Sequence, residues 1–158
     1  VAEGRVGLPH ERLDAIWIKE AVHHFTDPGA TLHGLARLLA PGGRILVAML
    51  PATIAYPLFP AALKRYEELQ PDPAGIAAHL RAAGLEADLT YVEHQLRLPK
   101  ERYLAMVRAR YMSVLADFDD DRIERGIAEI RAAHPEDELT FPDRFAFVRG
   151  TLALRATS

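Results

Sequence analysis

With 158 residues, 49% of them hydrophobic and 26% charged, the chain has the length and composition of a single domain with one buried core. A formal net charge of −3 gives no basic footprint for nucleic acid, and the absence of cysteine removes disulfides, thiol nucleophiles and thiolate metal sites together. No apolar run reaches membrane-spanning length and no signal-peptide pattern opens the sequence, so a cytoplasmic protein without membrane contact is expected.

The first residue is Val1 rather than methionine, and the chain runs at once into loop-like and strand-like sequence, as one that begins inside a domain would. Leu13 to Ile18, "LDAIWI", is a short apolar run of the kind found in a strand buried on both faces. Asp27 before Pro28 gives an N-cap followed by proline at the first helical position, and Leu32, Leu35, Leu38 and Leu39 follow at helical spacing. Pro41-Gly42-Gly43 is expected to end that helix and to lead into a second buried strand, Arg44 to Leu50. Strand, helix and strand at this loop economy make a βαβ unit with parallel strands.

A proline-punctuated stretch, "PATIAYPLFPAALKRYEELQ", comes next. A helix follows from near Pro73, with Gly84 as its stop. Glu86 to Leu98 alternates enough for a strand. Two helical stretches are predicted, about Lys100 to Leu115 and Asp119 to Ala133, the second opening on an acidic run suited to a helix N-terminus. Arg144 to Leu154 is the last predicted strand, and no repeat, linker or low-complexity tract divides residues 1–158.

The order "LDAIWIKEAVHHFTDP…LHGLARLLAPGGRILVAML", followed by "HLRAAGLEADLTYVE" and an aromatic final strand, resembles the second half of a class I S-adenosylmethionine-dependent methyltransferase of the small-molecule type. The resemblance implies an α/β, Rossmann-like sheet. "LDAIW" corresponds to the family's fourth strand, "RILVA" to its fifth, the segment after Gly84 to its sixth and the last strand to its antiparallel seventh. The family order 3-2-1-4-5-7-6 would here be reduced to about four strands, 4-5-7-6, with cap helices, in a single partial domain. In that family a glycine-rich turn after the first strand and an acidic residue after the second hold the cofactor, because glycine lets backbone approach a ligand and a carboxylate accepts two ribose hydroxyls. No G-x-G-x-G occurs in this sequence. The family also often has an acidic residue shortly before a Leu-Pro pair; here Val6 and Gly7 precede Leu8-Pro9, with Glu3 displaced.

Lys19 and Glu20 follow directly on the "LDAIWI" strand, and open α/β sheets bind ligands beyond the carboxyl ends of their strands. By resemblance these two residues line the methionine end of S-adenosylmethionine; by composition alone they are equally an ordinary solvated loop pair. His23-His24 offers imidazole chemistry near neutral pH. His24 is the candidate general base, with packing or capping beside Phe25 and Asp27 as the plain alternative, and no metal site is expected. Tyr56, Tyr103, Arg108, Arg110 and Tyr111 fall where the family carries its variable cap over the acceptor, which makes Tyr56, Tyr111 and Arg108 candidate substrate contacts; core aromatics and solvated arginines are the alternative. Neither Ser113 nor Ser158 stands in a nucleophile elbow.

The expected function is methyl transfer to a small-molecule acceptor in a complete enzyme, with little activity from this chain alone. A shortened module that binds a partner or ligand without methylating is the alternative, and a methyltransferase fold turned to another reaction, such as a cyclisation, is a third. An unpaired "LDAIWI" edge would invite self-association.

Overall fold

The computed structural model describes residues 12–154. Glu3, Val6, Gly7 and Leu8-Pro9 lie outside them. Strands β1 (Leu13–Lys19) and β2 (Leu39–Met49) are parallel and are joined by a 3₁₀ turn, Val22–His24, and helix α1 (Pro28–Ala36). Helices α2 (Pro60–Leu69) and α3 (Pro73–Ala82) lead to strand β3 (Glu86–Pro99). Helix α4 (Lys100–Arg108), a 3₁₀ turn (Ser113–Asp117) and helix α5 (Asp120–Ala133) then lead to strand β4 (Glu138–Thr151). The sheet order is β1-β2-β4-β3, with β4 antiparallel to both neighbours. This is the 4-5-7-6 arrangement expected from the sequence.

Local chemistry sets the helix ends. Asp27 Oδ1 accepts from the Ala30 N–H at 2.9 Å, Asp72 Oδ1 from Ala74 at 3.1 Å and Asp119 Oδ1 from Arg122 at 2.7 Å, each satisfying an amide that the first turn leaves without a partner. Helix α3 stops as predicted: Gly84 takes φ +86°, and the Gly84 and Leu85 amides return to the Arg81 and Leu80 carbonyls.

Several boundaries differ from the sequence reading, each for a physical reason. Pro41-Gly42-Gly43 does not separate helix from strand. Strand β2 begins earlier, at Leu39, and the triplet forms a bulge in which three residues of β1 (Leu13 to Ala15) lie opposite six of β2 (Leu39 to Arg44). Gly42 makes this possible at φ +79°, and the Gly42 amide and Gly43 carbonyl pair with Leu152. Leu38 and Leu39 therefore leave the helical stripe. The proline-punctuated stretch contains helix α2, because Pro60 falls at its start, where the missing N–H is harmless. The predicted Lys100 to Leu115 helix ends at Arg108, since Arg110 adopts φ +54° and the Tyr111 amide turns back to the Met106 carbonyl. Strand β4 starts six residues earlier than predicted and carries Pro142 within it.

Strand β1 is buried on one face rather than two. Ile16 and Ile18 pack inward, while Trp17 on the other face is 69% exposed.

Two apolar cores meet along the sheet. One lies under α1 and α3 and collects Ile18, Leu32, Ile45, Val47, Ile76, Leu80 and Val148. The other gathers α2, α4 and α5 into a cap over the first half of β4, with Phe59, Tyr103, Leu104, Ile127, Leu139 and Phe141. Within the cap Phe59 is 1% exposed, edge-on to Phe118 at 5.2 Å, with the Arg122 guanidinium 4.5 Å above its ring. Gly126 of α5 lies so close to that ring that an added Cβ would overlap it. Gly126→Ala would gain about 1 kcal/mol of helix propensity but incur an overpacking cost of about 1–3 kcal/mol. Denaturant unfolding should therefore show a net loss of stability, against the usual sign for this substitution in a helix.

Candidate acceptor site

The two parallel strands and the antiparallel β4 bring three kinds of residue to one end of the sheet. Strand β1 ends on Lys19 and Glu20, and β2 runs out through Leu50 and Pro51. Because β4 is antiparallel, its beginning lies where β2 finishes, so Asp143 and Phe145 arrive at the same place. The cap closes over them from α2, with Tyr66 and Gln70, and from the turn after α4, with Tyr111 to Val114. The result is a cavity of about 630 Å³.

Its floor is held by side chains bonding to backbone. Glu20 sits in the left-handed region at φ 48°, an uncommon conformation for a residue with a Cβ. Its amide continues the β1–β2 ladder to the Ala48 carbonyl at 2.9 Å, while its Oε1 accepts the Leu50 N–H at 3.0 Å. The Tyr66 hydroxyl donates to the Pro51 carbonyl at 2.6 Å, and Gln70 Nε2 donates to the Leu50 carbonyl at 2.7 Å. Burial holds the Glu20 carboxyl above the usual carboxylate range; the Leu50 N–H and Lys19 pull it back in part, and Asp143 adds to the rise.

The walls are aromatic. The Tyr56 hydroxyl donates to Asp143 Oδ1, and its ring meets Phe141 edge-on at 5.3 Å. Tyr103 is 1% exposed and its hydroxyl lies 3.0 Å from that of Tyr111, which is 37% exposed. Either hydroxyl can donate across this contact, so one of the two protons is taken up by it. Burial raises the pKa of Tyr56, Tyr66 and Tyr103, and pushes Tyr111 up to about 12, so all four phenols are neutral at physiological pH.

His23 and His24 line the same cavity with ring centroids 4.0 Å apart. Burial, then the neighbouring His24, lowers the pKa of His23 and favours the neutral imidazole that accepts a proton. Glu20, His24, Tyr56 and Tyr111 are thus brought together, as their candidacy requires. Lys19 is exposed and does not line the cavity. Arg108 is not brought to it either: its Nε and Nη2 form a two-point pair with Glu124 on the outer surface of α4 and α5. Arg110 instead bonds the Phe118 carbonyl and Asp120. Among the described residues no group of three or more His, Asp or Glu side chains is placed to hold a metal ion. Sequence reasoning missed Tyr66, Gln70 and Asp143.

Among the described residues no glycine-rich turn follows a strand: Gly42 and Gly43 lie inside β2, and Gly84 leads into a strand instead of following one.

A four-stranded sheet of this order, with its cavity beyond the carboxyl ends of the parallel strands, is a Rossmann-like methyltransferase fold. The sequence profile described as "Methyltransferase domain" matches residues 2–47. Ubiquinone biosynthesis O-methyltransferases from three strains of Xylella fastidiosa are 34% identical over 87 residues, covering 48% of this chain and 35% of theirs. The chain thus spans about a third of the length of these curated relatives. A candidate methyltransferase from Bacillus halodurans C-125 has the same fold at TM-score 0.56 and 14% identity, over 94% of this chain and 68% of that one. The YcgJ protein from Bacillus subtilis does so at 0.57 and 15%, over 94% and 67%. SpnF, a cyclase, follows at 0.50 and 16%, over 94% and 53%. Part of the sequence is thus similar to methyltransferases, and the fold is the Rossmann-like one that the resemblance implied.

The raised Glu20 pKa has a signed consequence. A carboxyl more readily ionised in the unfolded chain than in the folded one destabilises the fold as pH rises, from the ordinary carboxylate range through the folded value. Below that range both states hold the proton and the effect vanishes. Glu20→Gln should therefore gain stability relative to wild type across this window as pH rises, and denaturant titrations at pH 4 to 8 measure the difference. A difference that stays constant with pH would contradict the assignment.

Proposed function

We propose that the chain is the acceptor-binding part of an S-adenosylmethionine-dependent methyltransferase acting on a small molecule. The observation that carries this reading is the cavity beyond β1 and β2, where Glu20 and the histidines meet a cap of tyrosines. The size is that of a small-molecule site. The bound cofactor supplies an electrophilic methyl group; the chain's own residues orient the acceptor, exclude water and, through His24 or His23, take a proton from it. Glycine turn and ribose carboxylate are not supplied by the described residues, so we infer that the 158-residue chain alone binds the cofactor weakly and turns over little. A cytoplasmic location belongs to the same proposal; what the described residues contribute to it is only that no helix is long and apolar enough to cross a membrane.

Calorimetry on the isolated chain should find no micromolar affinity for S-adenosylmethionine, since the cost of immobilising the ligand remains while much of the binding surface is missing. Micromolar binding would overturn this division of labour. With a glycine-rich half restored upstream, His24→Ala should lower kcat by roughly 10²-fold or more and leave cofactor affinity unchanged if His24 is the base. Unchanged kinetics would return His24 to a packing role.

A second reading, a module that binds another chain, is favoured by one observation. Among the described residues strand β1 has a neighbour on one side only, and Trp17 beside the other is 69% exposed. We propose that this edge pairs with another chain. Size-exclusion chromatography should show self-association that Trp17→Lys reduces; a monomer at all concentrations would contradict it.

A further inference from the structure

The charge of the cavity is one-sided. Among the described residues no lysine or arginine lines it, whereas Glu20, Asp117 and Asp143 do. Asp117 is neutralised from outside, its Oδ2 accepting from Arg65 Nε at 2.7 Å. Glu20 and Asp143 have no ion-pair partner among the described residues. Each is held through one oxygen by a neutral donor, the Leu50 amide and the Tyr56 hydroxyl. The second oxygen of each, Oε2 and Oδ2, has no donor among the described residues and is not buried, and both residues line the cavity.

Half-buried carboxylates without a counter-charge are costly, and most proteins supply a lysine or arginine beside them. Among the described residues neither carboxylate has an ion-pair partner, Lys19 acting on Glu20 only from outside the cavity, and the lining is of the kind that suits a cation, with the aromatic rings of Tyr56, Tyr66 and Tyr111. Three of the four phenol protons are already committed, to Asp143, to the Pro51 carbonyl and between Tyr103 and Tyr111, so the wall offers few donors to an anion. A phosphate or carboxylate would meet like charge and, among the described residues, no lysine or arginine. A neutral acceptor would leave both open oxygens to water.

We propose that this cavity takes an organic cation, and that the methyl acceptor is an amine whose ammonium group binds the open oxygens of Glu20 and Asp143 against the tyrosine rings. For transfer the ammonium gives a proton to His24 or His23, the freed nitrogen lone pair forms the bond to the methyl carbon as that carbon's bond to the donor sulfur breaks, and a methylammonium and a neutral thioether result. The inference rests on the acceptor-site reading above and narrows it to a substrate class. A sulfonium, the charged centre of the methyl donor, carries the same chemistry, and the experiment separates the two.

The full 158-residue chain is titrated with 2-phenylethylammonium, 2-phenylethanol, phenylacetate and trimethylsulfonium while the ring resonances of Tyr56, Tyr66 and Tyr111 are followed by NMR. The ammonium should bind about tenfold more tightly than the alcohol, the scale of a charge-assisted hydrogen bond or cation–π contact, and phenylacetate should not bind. Asp143→Asn keeps an oxygen for Tyr56 and Glu20→Gln keeps one for the Leu50 amide. Each should weaken the ammonium roughly five- to tenfold and leave the alcohol within about twofold. Alcohol or phenylacetate binding as tightly as the ammonium overturns the charge assignment and leaves the acceptor-site reading intact. Trimethylsulfonium binding more tightly than the ammonium assigns the carboxylates to the donor and overturns the amine acceptor. If no probe shifts the three tyrosines, both readings fall.

Discussion

The structure depends on how the chain leaves β2. At Leu50 and Pro51 the backbone can no longer pair as a strand, and its polar groups are taken over by side chains: Glu20 accepts the Leu50 amide, Gln70 donates to the Leu50 carbonyl and Tyr66 to that of Pro51. Each bond is worth about 1 kcal/mol net, and losing one would leave a half-buried group without a partner at comparable or greater cost. Together they tie the end of β1, the end of β2 and helix α2 into one unit. The same three side chains then line the cavity, so the residues that hold the floor are also those that meet the ligand. Glu20 reaches this position only from a left-handed backbone conformation, which costs of order 1–3 kcal/mol and is the kind of local strain that functional sites tolerate.

The long β3–β4 ladder does the complementary job. Along β4 the buried face changes: Ala146 and Val148 pack under α1 and α3, whereas Leu139, Phe141 and Phe145 pack under the cap. Strand β3 follows the same switch, with Ala87 and Leu89 on one core and Leu96 and Leu98 on the other. One ladder thus serves two cores on opposite faces, and Asp143 lies in the stretch between them. A shift of β4 by one residue would turn Asp143 away from Tyr56 and expose Val148, so register and site geometry are the same constraint.

Much of this was legible in the sequence where a side chain has one local meaning. Asp27-Pro28, Asp119 and Gly84 announce helix ends, the apolar runs mark the first two strands, and the sheet order came from the resemblance. What escaped had no local signal. Arg110 ends α4 in a conformation usually left to glycine, so the pattern of apolar residues ran on past the true end. Prolines at 51 and 57 masked the helix that Pro60 begins, and with it Tyr66 and Gln70. Asp143 was lost because the predicted β4 began at Arg144, six residues late and just past it, and because its importance comes only from partners far away in sequence. Tyr56 and Tyr111 were named from their place in the resembling family, and Arg108, named on the same ground, is drawn outward by Glu124. Proximity in the chain to a functional loop says little about which face a helical residue presents.

The fold itself is shared with proteins of different stated chemistry, SpnF among them, so the account stands or falls on the cavity and not on the sheet. The most direct test is to locate the acceptor. A photoreactive diazirine-bearing amine is irradiated with the protein after a glycine-rich half has been restored, and the labelled residues are read by peptide mass spectrometry. Labelling concentrated on Tyr56, Tyr66 and the Tyr111–Val114 turn, suppressed by excess unlabelled amine, is the predicted result. Labelling concentrated on the outer face of β1 around Trp17, with the cavity tyrosines untouched, would contradict the account.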